Sequence, residues 1–125
     1  EQNFFQVDFD YLTDPWVMCP EEKIDLIVCS EVIEHIMNYG AFLQFLHVQV
    51  LAPLLLSTPN PFCAIQHRFL AKKQENVNIA HTHYHSPRTL RTLLEKCGYE
   101  PKTWAYYNGD MPYSEGLIVL AEPHL

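Results

Sequence analysis

The sequence predicts an α/β fold that closes with an antiparallel pair of strands, and three observations carry this. Residues 24–29 form a short apolar run rich in β-branched side chains, as in a buried strand of a parallel sheet covered on both faces. Leu90, Leu93, Leu94 and Cys97 recur at helical spacing between a Ser86-Pro87 start and a Gly98 stop. Residues 102–107 and 117–122 then read as two strands joined by a loop too long for a tight turn.

Taken in order, residues 4–7 predict a first short strand, ending at Asp8-Phe9-Asp10. Residues 11–22 contain Asp14-Pro15 and Cys19-Pro20 and read as a loop. The strand at 24–29 follows. Phe42, Leu43, Leu46 and Val50 mark an amphipathic helix over 41–51, which Pro53 ends. Residues 54–58 are a second buried strand, stopped by Pro59-Asn60-Pro61. Residues 62–84 predict a loop with a short helix around 67–73. In the late helix Ser86 is the N-cap, Pro87 fits the first position, and Gly98 sits at C′. The order of strand, strand, helix, strand, helix, strand, strand is an α/β layout.

With 125 residues, 48% hydrophobic and 18% charged, the chain is long and apolar enough for one globular domain. No window approaches about 18 uninterrupted apolar residues, so no membrane span is expected. Glu1-Gln2-Asn3 does not open a signal peptide. Cys19, Cys29, Cys63 and Cys97 are scattered without a C-x-x-C pair, which points to reduced thiols and a cytoplasmic or nuclear setting. A net charge of −7 disfavours indiscriminate attraction to nucleic-acid phosphates.

The chemistry concentrates just beyond the strand at 24–29. Glu31, Glu34 and His35 stand at i, i+3 and i+4, so a helix there would put all three on one face. Open α/β sheets bind ligands just past the carboxyl ends of their strands. Two carboxylates and an imidazole, joined by His81, His83 or His85, have the composition of a divalent-cation site of the Mg²⁺ or Mn²⁺ kind. The plainer reading is a helix cap or pocket wall. His81, His83 and His85 alternate at strand spacing, and one of them could serve as a general base. Trp104 and Tyr106 alternate as packing residues should.

These segments together resemble class I S-adenosylmethionine-dependent methyltransferases. Residues 25–35 (DLIVCSEVIEH) look like that family's fourth strand and the helix start after it. Residues 54–60 (LLLSTPN) resemble its fifth strand, 85–100 its late helix, and 117–121 its antiparallel last strand. The resemblance implies a Rossmann-like, mostly parallel sheet with an antiparallel C-terminal strand pair. It covers nearly all of 4–122. It departs from the family in lacking the glycine-rich first loop and the acidic end of the second strand. Residues 1–125 are accordingly expected to be a partial domain, running from the third strand to the last with the N-terminal strands missing, whose open edge a protein partner could complete.

The resemblance also implies roles. Asp8 and Phe9 would hold the adenine of S-adenosylmethionine, and Cys29, Ser30 and Glu31 would line its methionine end. His81 or His85, with Glu34, would act on the acceptor. Transfer to an oxygen of a small molecule is the first expectation. The Glu-x-x-Glu-His pattern is also similar to that of small-RNA 3′-terminal 2′-O-methyltransferases. That implies Glu31, Glu34, His35 and His81 as ligands of Mg²⁺ or Mn²⁺, with an RNA 3′ end as acceptor. A third expectation is a catalytically silent, shortened fold acting through protein partners.

Overall fold

The structure is a computed structural model and describes residues 23–125. The predicted strand at 4–7, the whole of the 11–22 loop, and the cofactor candidates Asp8 and Phe9 lie outside the described residues.

Four strands form one sheet in the order β1-β2-β4-β3. β1 (Ile27–Ser30) runs parallel to β2 (Leu54–Pro59), with Ile27 opposite Leu54 and Ser30 opposite Ser57. β4 (Gly116–Pro123) is antiparallel to both β2 and β3 (Tyr99–Tyr107). β1, β2 and β3 therefore point the same way, and their carboxyl ends share one rim. This is the α/β, Rossmann-like sheet with an antiparallel C-terminal pair that the sequence predicts.

β1 begins later than expected because its partner β2 offers no backbone for pairing before Pro53. Ile27 N–H bonds the carbonyl of Pro53 at 2.8 Å, and the ladder starts there. The strand is also less covered than a doubly buried one. Only Cys29 is buried along it, and Val28 is 64% exposed. Among the described residues β1 is an edge of the sheet.

The helix predicted over 41–51 is composite. α1 (Tyr39–Phe45) passes into a π-helical turn (Leu46–Val50), closed by Leu51 N–H on the carbonyl of Leu46 at 3.0 Å. Leu51 is left-handed, with φ 53°. Pro53 has no N–H with which to continue a helix. The wide last turn and the left-handed residue reverse the chain in the little sequence available before β2.

α2 (Ala64–Ala71) is the short helix expected near 67–73 and starts earlier. α3 (Pro87–Lys96) matches its prediction closely: Ser86 Oγ accepts from Thr89 N–H at 3.2 Å, and Gly98 takes φ +94°. An ideal Cβ on Gly98 would lie 2.7 Å from the His47 ring, so both conformation and space require glycine there.

The core lies where α1 and α3 meet the sheet. It joins Phe42, Leu43 and Leu46 to Leu90 and Leu94, and to Leu54, Leu56, Val119 and Ala121 of the central strands. Cys29, Cys63 and Cys97 are buried and free. Among the described residues no helix is long and apolar enough to cross a membrane.

Candidate functional site: a carboxylate and histidine cluster at the rim

At the rim the chain leaves β1 through Glu31, whose φ of 53° is left-handed. Glu31 N–H still bonds the carbonyl of Ser57 at 3.0 Å, which carries the ladder one residue past the strand. A 3-10 turn (Ile33–His35) follows. Glu31, Glu34 and His35 thus do not share a helical face as expected. The left-handed residue takes Glu31 out of the turn, and its carboxylate points to the sheet. Glu31 Oε1 accepts from Ser57 Oγ at 3.1 Å and from Tyr107 OH. Ser57 Oγ, its proton used, accepts in turn from Ser30 Oγ at 3.0 Å.

The turn instead drives Glu34 into the interior, where it is completely buried. Thr58 Oγ1 donates to Glu34 Oε2 at 3.0 Å, whereas Glu34 Oε1 has no hydrogen-bond partner. Burial, and to a lesser degree the adjacent Glu31, raise the Glu34 pKa. A buried carboxylate oxygen without a donor costs about 1–3 kcal/mol.

His35 Nε2 lies 3.9 Å from that bare oxygen. Its Nδ1 is 3.1 Å from the carbonyl of Ala80. A carbonyl only accepts, so Nδ1 carries a proton and Nε2 is the ring atom turned towards Glu34. The 78–85 segment is tied to the turn by Thr82, whose N–H and hydroxyl both bond the carbonyl of Glu34 (2.9 and 3.2 Å). That anchor brings the His81 ring edge-on to His35, at 4.7 Å between centroids. One ligand atom each from Glu34, His35 and His81 lies within 4.8 Å of the others. Burial, then the neighbouring His35, lowers the His81 pKa, so its imidazole stays neutral and ligand-competent.

The predicted site residues therefore divide. Glu34, His35 and His81 come together, with Glu31 beside them. Ser30 and Glu31 are exposed on the rim, but the Cys29 side chain faces the core, its thiol pushed up to about 12 by burial and by Glu34. His85 is buried against Tyr39 and His83, at 5.0 and 4.9 Å between ring centroids. Burial first, and His83 second, bring its pKa down to about 4. Trp104 packs against the core with Arg91 over its ring at 5.5 Å.

Sequence reasoning missed Ser57, Thr58, Thr82 and Tyr107. The polar pair Ser57-Thr58 ending an apolar strand is the same signal as Ser30-Glu31 and could have been read that way. Thr82 and Tyr107 act across 48 and 76 residues of chain and leave no local mark.

The bare Glu34 oxygen, flanked by Glu31 and two imidazole rings, suits a small hard cation with mixed oxygen and nitrogen ligands. For a methyl-donor cofactor, Ser30 and Glu31 offer polar groups at the strand ends, where such sheets bind ligands.

The fold has solved counterparts. The crystal structure of the small RNA methyltransferase HEN1 superposes with a TM-score of 0.67 at 21% identity, over 82% of this chain and 14% of that one. The magnesium protoporphyrin IX methyltransferase ChlM from Synechocystis PCC 6803, solved with bound SAH, gives 0.55 at 17% identity, over 79% of this chain and 44% of that one. An S-adenosylmethionine-dependent methyltransferase from Mesorhizobium loti gives 0.56 at 15% identity, over 82% and 62%. The chain thus spans less than two thirds of each. No curated protein sequence matches it. A family described as a methyltransferase domain matches residues 1–103, and the chain belongs to that family.

Proposed function

We propose that this chain carries the acceptor side of a methyltransferase that moves a methyl group from S-adenosylmethionine to a hydroxyl oxygen. Glu34, His35 and His81 hold a divalent cation next to the acceptor. The observation that carries this reading is the buried Glu34 oxygen without a hydrogen-bond partner, 3.9 Å from Nε2 of His35.

The transfer is an in-line displacement. The acceptor oxygen forms the new bond to carbon, the sulfur–methyl bond breaks with its electron pair returning to sulfur, and the hydroxyl proton passes to solvent water. Most of what the protein supplies is position. Ser30 and Glu31 face the methionine end of the donor; Asp8 and Phe9 are assigned to its adenine by family resemblance alone. When bound, Mg²⁺ or Mn²⁺ supplies positive charge that makes a nearby hydroxyl more acidic. Glu34, His35 and His81 fix where that charge sits. Thr58 holds the other Glu34 oxygen, and the carbonyl of Ala80 fixes the His35 tautomer, as partners behind metal ligands commonly do. His85, buried and with its pKa near 4, supports the histidine segment by packing and is no base for the acceptor.

The acceptor is a small molecule or the terminal ribose of an RNA. The likeness to a small RNA methyltransferase supports the second. The test is labelled methyl transfer from S-adenosylmethionine in Mn²⁺ to two probes, a short RNA with a free 3′-terminal diol and a catechol. The reading predicts labelling of one of them, abolished by EDTA and by Glu34→Ala. Transfer that survives both treatments contradicts it.

A further inference from the structure

The three parallel-pointing strands each send one side chain to the same carboxylate oxygen or its donor. Ser30 ends β1, Ser57 lies near the end of β2, and Tyr107 ends β3. Ser30 bonds Ser57, and Ser57 and Tyr107 both donate to Glu31 Oε1. β4 stands between β2 and β3, so Tyr107 must cross it to reach Glu31. It crosses at Gly116, its pairing partner in the β3–β4 register. An ideal Cβ on Gly116 would fall 1.7 Å from Cζ of the Tyr107 ring. The backbone of Gly116 needs no positive φ, so glycine is required there for space alone. Beyond the strand, Asn108 and Gly109 take φ 51° and 121° and turn the chain away. Asn108 Nδ2 donates to Glu115 Oε2 at 2.9 Å, which fastens that turn.

We infer that Tyr107 is a positioning residue, whose hydroxyl passes through the slot left by Gly116 and locks the Glu31 carboxylate beside the Glu34–His35–His81 cluster. The Tyr107 and Ser57 bonds fall on the same oxygen, so neither occupies the second oxygen of the carboxylate. Glu31 has a left-handed backbone that a non-glycine residue adopts at a cost, and its side chain is held by those two donors. Burial, and next the bond to Glu31, raise the phenol pKa, so Tyr107 remains a donor throughout the working pH range. Two carboxylates held side by side repel unless a cation or a shared proton lies between them. Tyr107 thereby sets the strength with which the rim holds its cation. This inference rests on the cation reading above.

The test is Mn²⁺ binding by the parent chain, Tyr107→Phe, Gly116→Ala and Tyr106→Phe, followed by the electron paramagnetic resonance signal of free Mn²⁺. Thermal melts run alongside. Tyr107→Phe keeps the ring and its packing, so the melt should stay at the parental temperature while the Mn²⁺ dissociation constant rises about tenfold. Gly116→Ala, which displaces the ring, should weaken binding in the same direction, and Tyr106→Phe should leave it unchanged. Parental Mn²⁺ affinity in Tyr107→Phe overturns the positioning role and leaves the cation reading standing. A parent that binds no Mn²⁺ overturns both.

Discussion

Helix α3 and the rim around Glu34 treat their polar groups in opposite ways. In α3 the Ser86 hydroxyl caps the first turn, Pro87 brings no N–H that would need a partner, and Arg91 pairs with Glu95 at 3.8 Å on the exposed face. Its apolar stripe is in the core. At the rim, Glu34 Oε1, His83 Nε2 and His85 Nε2 are all buried without partners. His83 Nδ1 donates to Thr82 Oγ1 at 2.8 Å, because the Thr82 proton already goes to the carbonyl of Glu34. Two further unpartnered atoms among the described residues, Tyr99 OH and Trp104 Nε1, are neutral donors on β3. Buried polar atoms left without partners in one segment are what a protein leaves for something it binds.

The contrast can be broken from either side. The largest effect belongs to the completed side. Leu94→Ala removes a fully buried side chain where α3 meets the sheet and should cost about 2–5 kcal/mol in denaturant melts. Next comes His85 on the incomplete side. Its folded pKa of about 4 is below the ordinary 6.5, so folding favours the neutral ring. That stability is fully present above pH 6.5 and is lost as pH falls towards 4. In a melt series across that window, His85→Phe should lose roughly 2–3 kcal/mol less than the parent. Smallest is Ser86→Ala, which deletes one cap bond and should cost about 1 kcal/mol, at any pH from 5 to 8.

The same contrast explains what the sequence makes legible. α3 can be read from 86 to 98 because its cap, stripe and stop are local rules obeyed in order. The two central strands can be read because apolar runs between prolines have few other uses. The identity of the cluster is legible too, as Glu34, His35 and His81 stand out by residue type. Its construction is not. Helical spacing puts Glu31 with Glu34 and His35, but β-ladder pairing to Ser57 keeps Glu31 in the strand's exit and forces the left-handed backbone. Tertiary hydrogen bonds decide that point, and local propensity is silent on them. The π-helical turn before β2 is hidden in the same way, because its cause is the distance the chain must cover between Phe45 and Leu54.

The cation site depends on Glu34, and the most direct test is calorimetric titration of Mn²⁺ into the parent and Glu34→Gln, with melts of both in chelator. Burial raises the Glu34 pKa, so folding favours the protonated acid and stability falls as pH rises above 4.5. A glutamine amide can donate where the carboxylate oxygen has no partner. The metal-free variant should therefore be more stable than the metal-free parent at pH 7, by about 1–3 kcal/mol. Mn²⁺ should bind saturably to the parent and not to the variant. Equal Mn²⁺ binding by the two chains, or a variant less stable than the parent without metal, would contradict the cation reading.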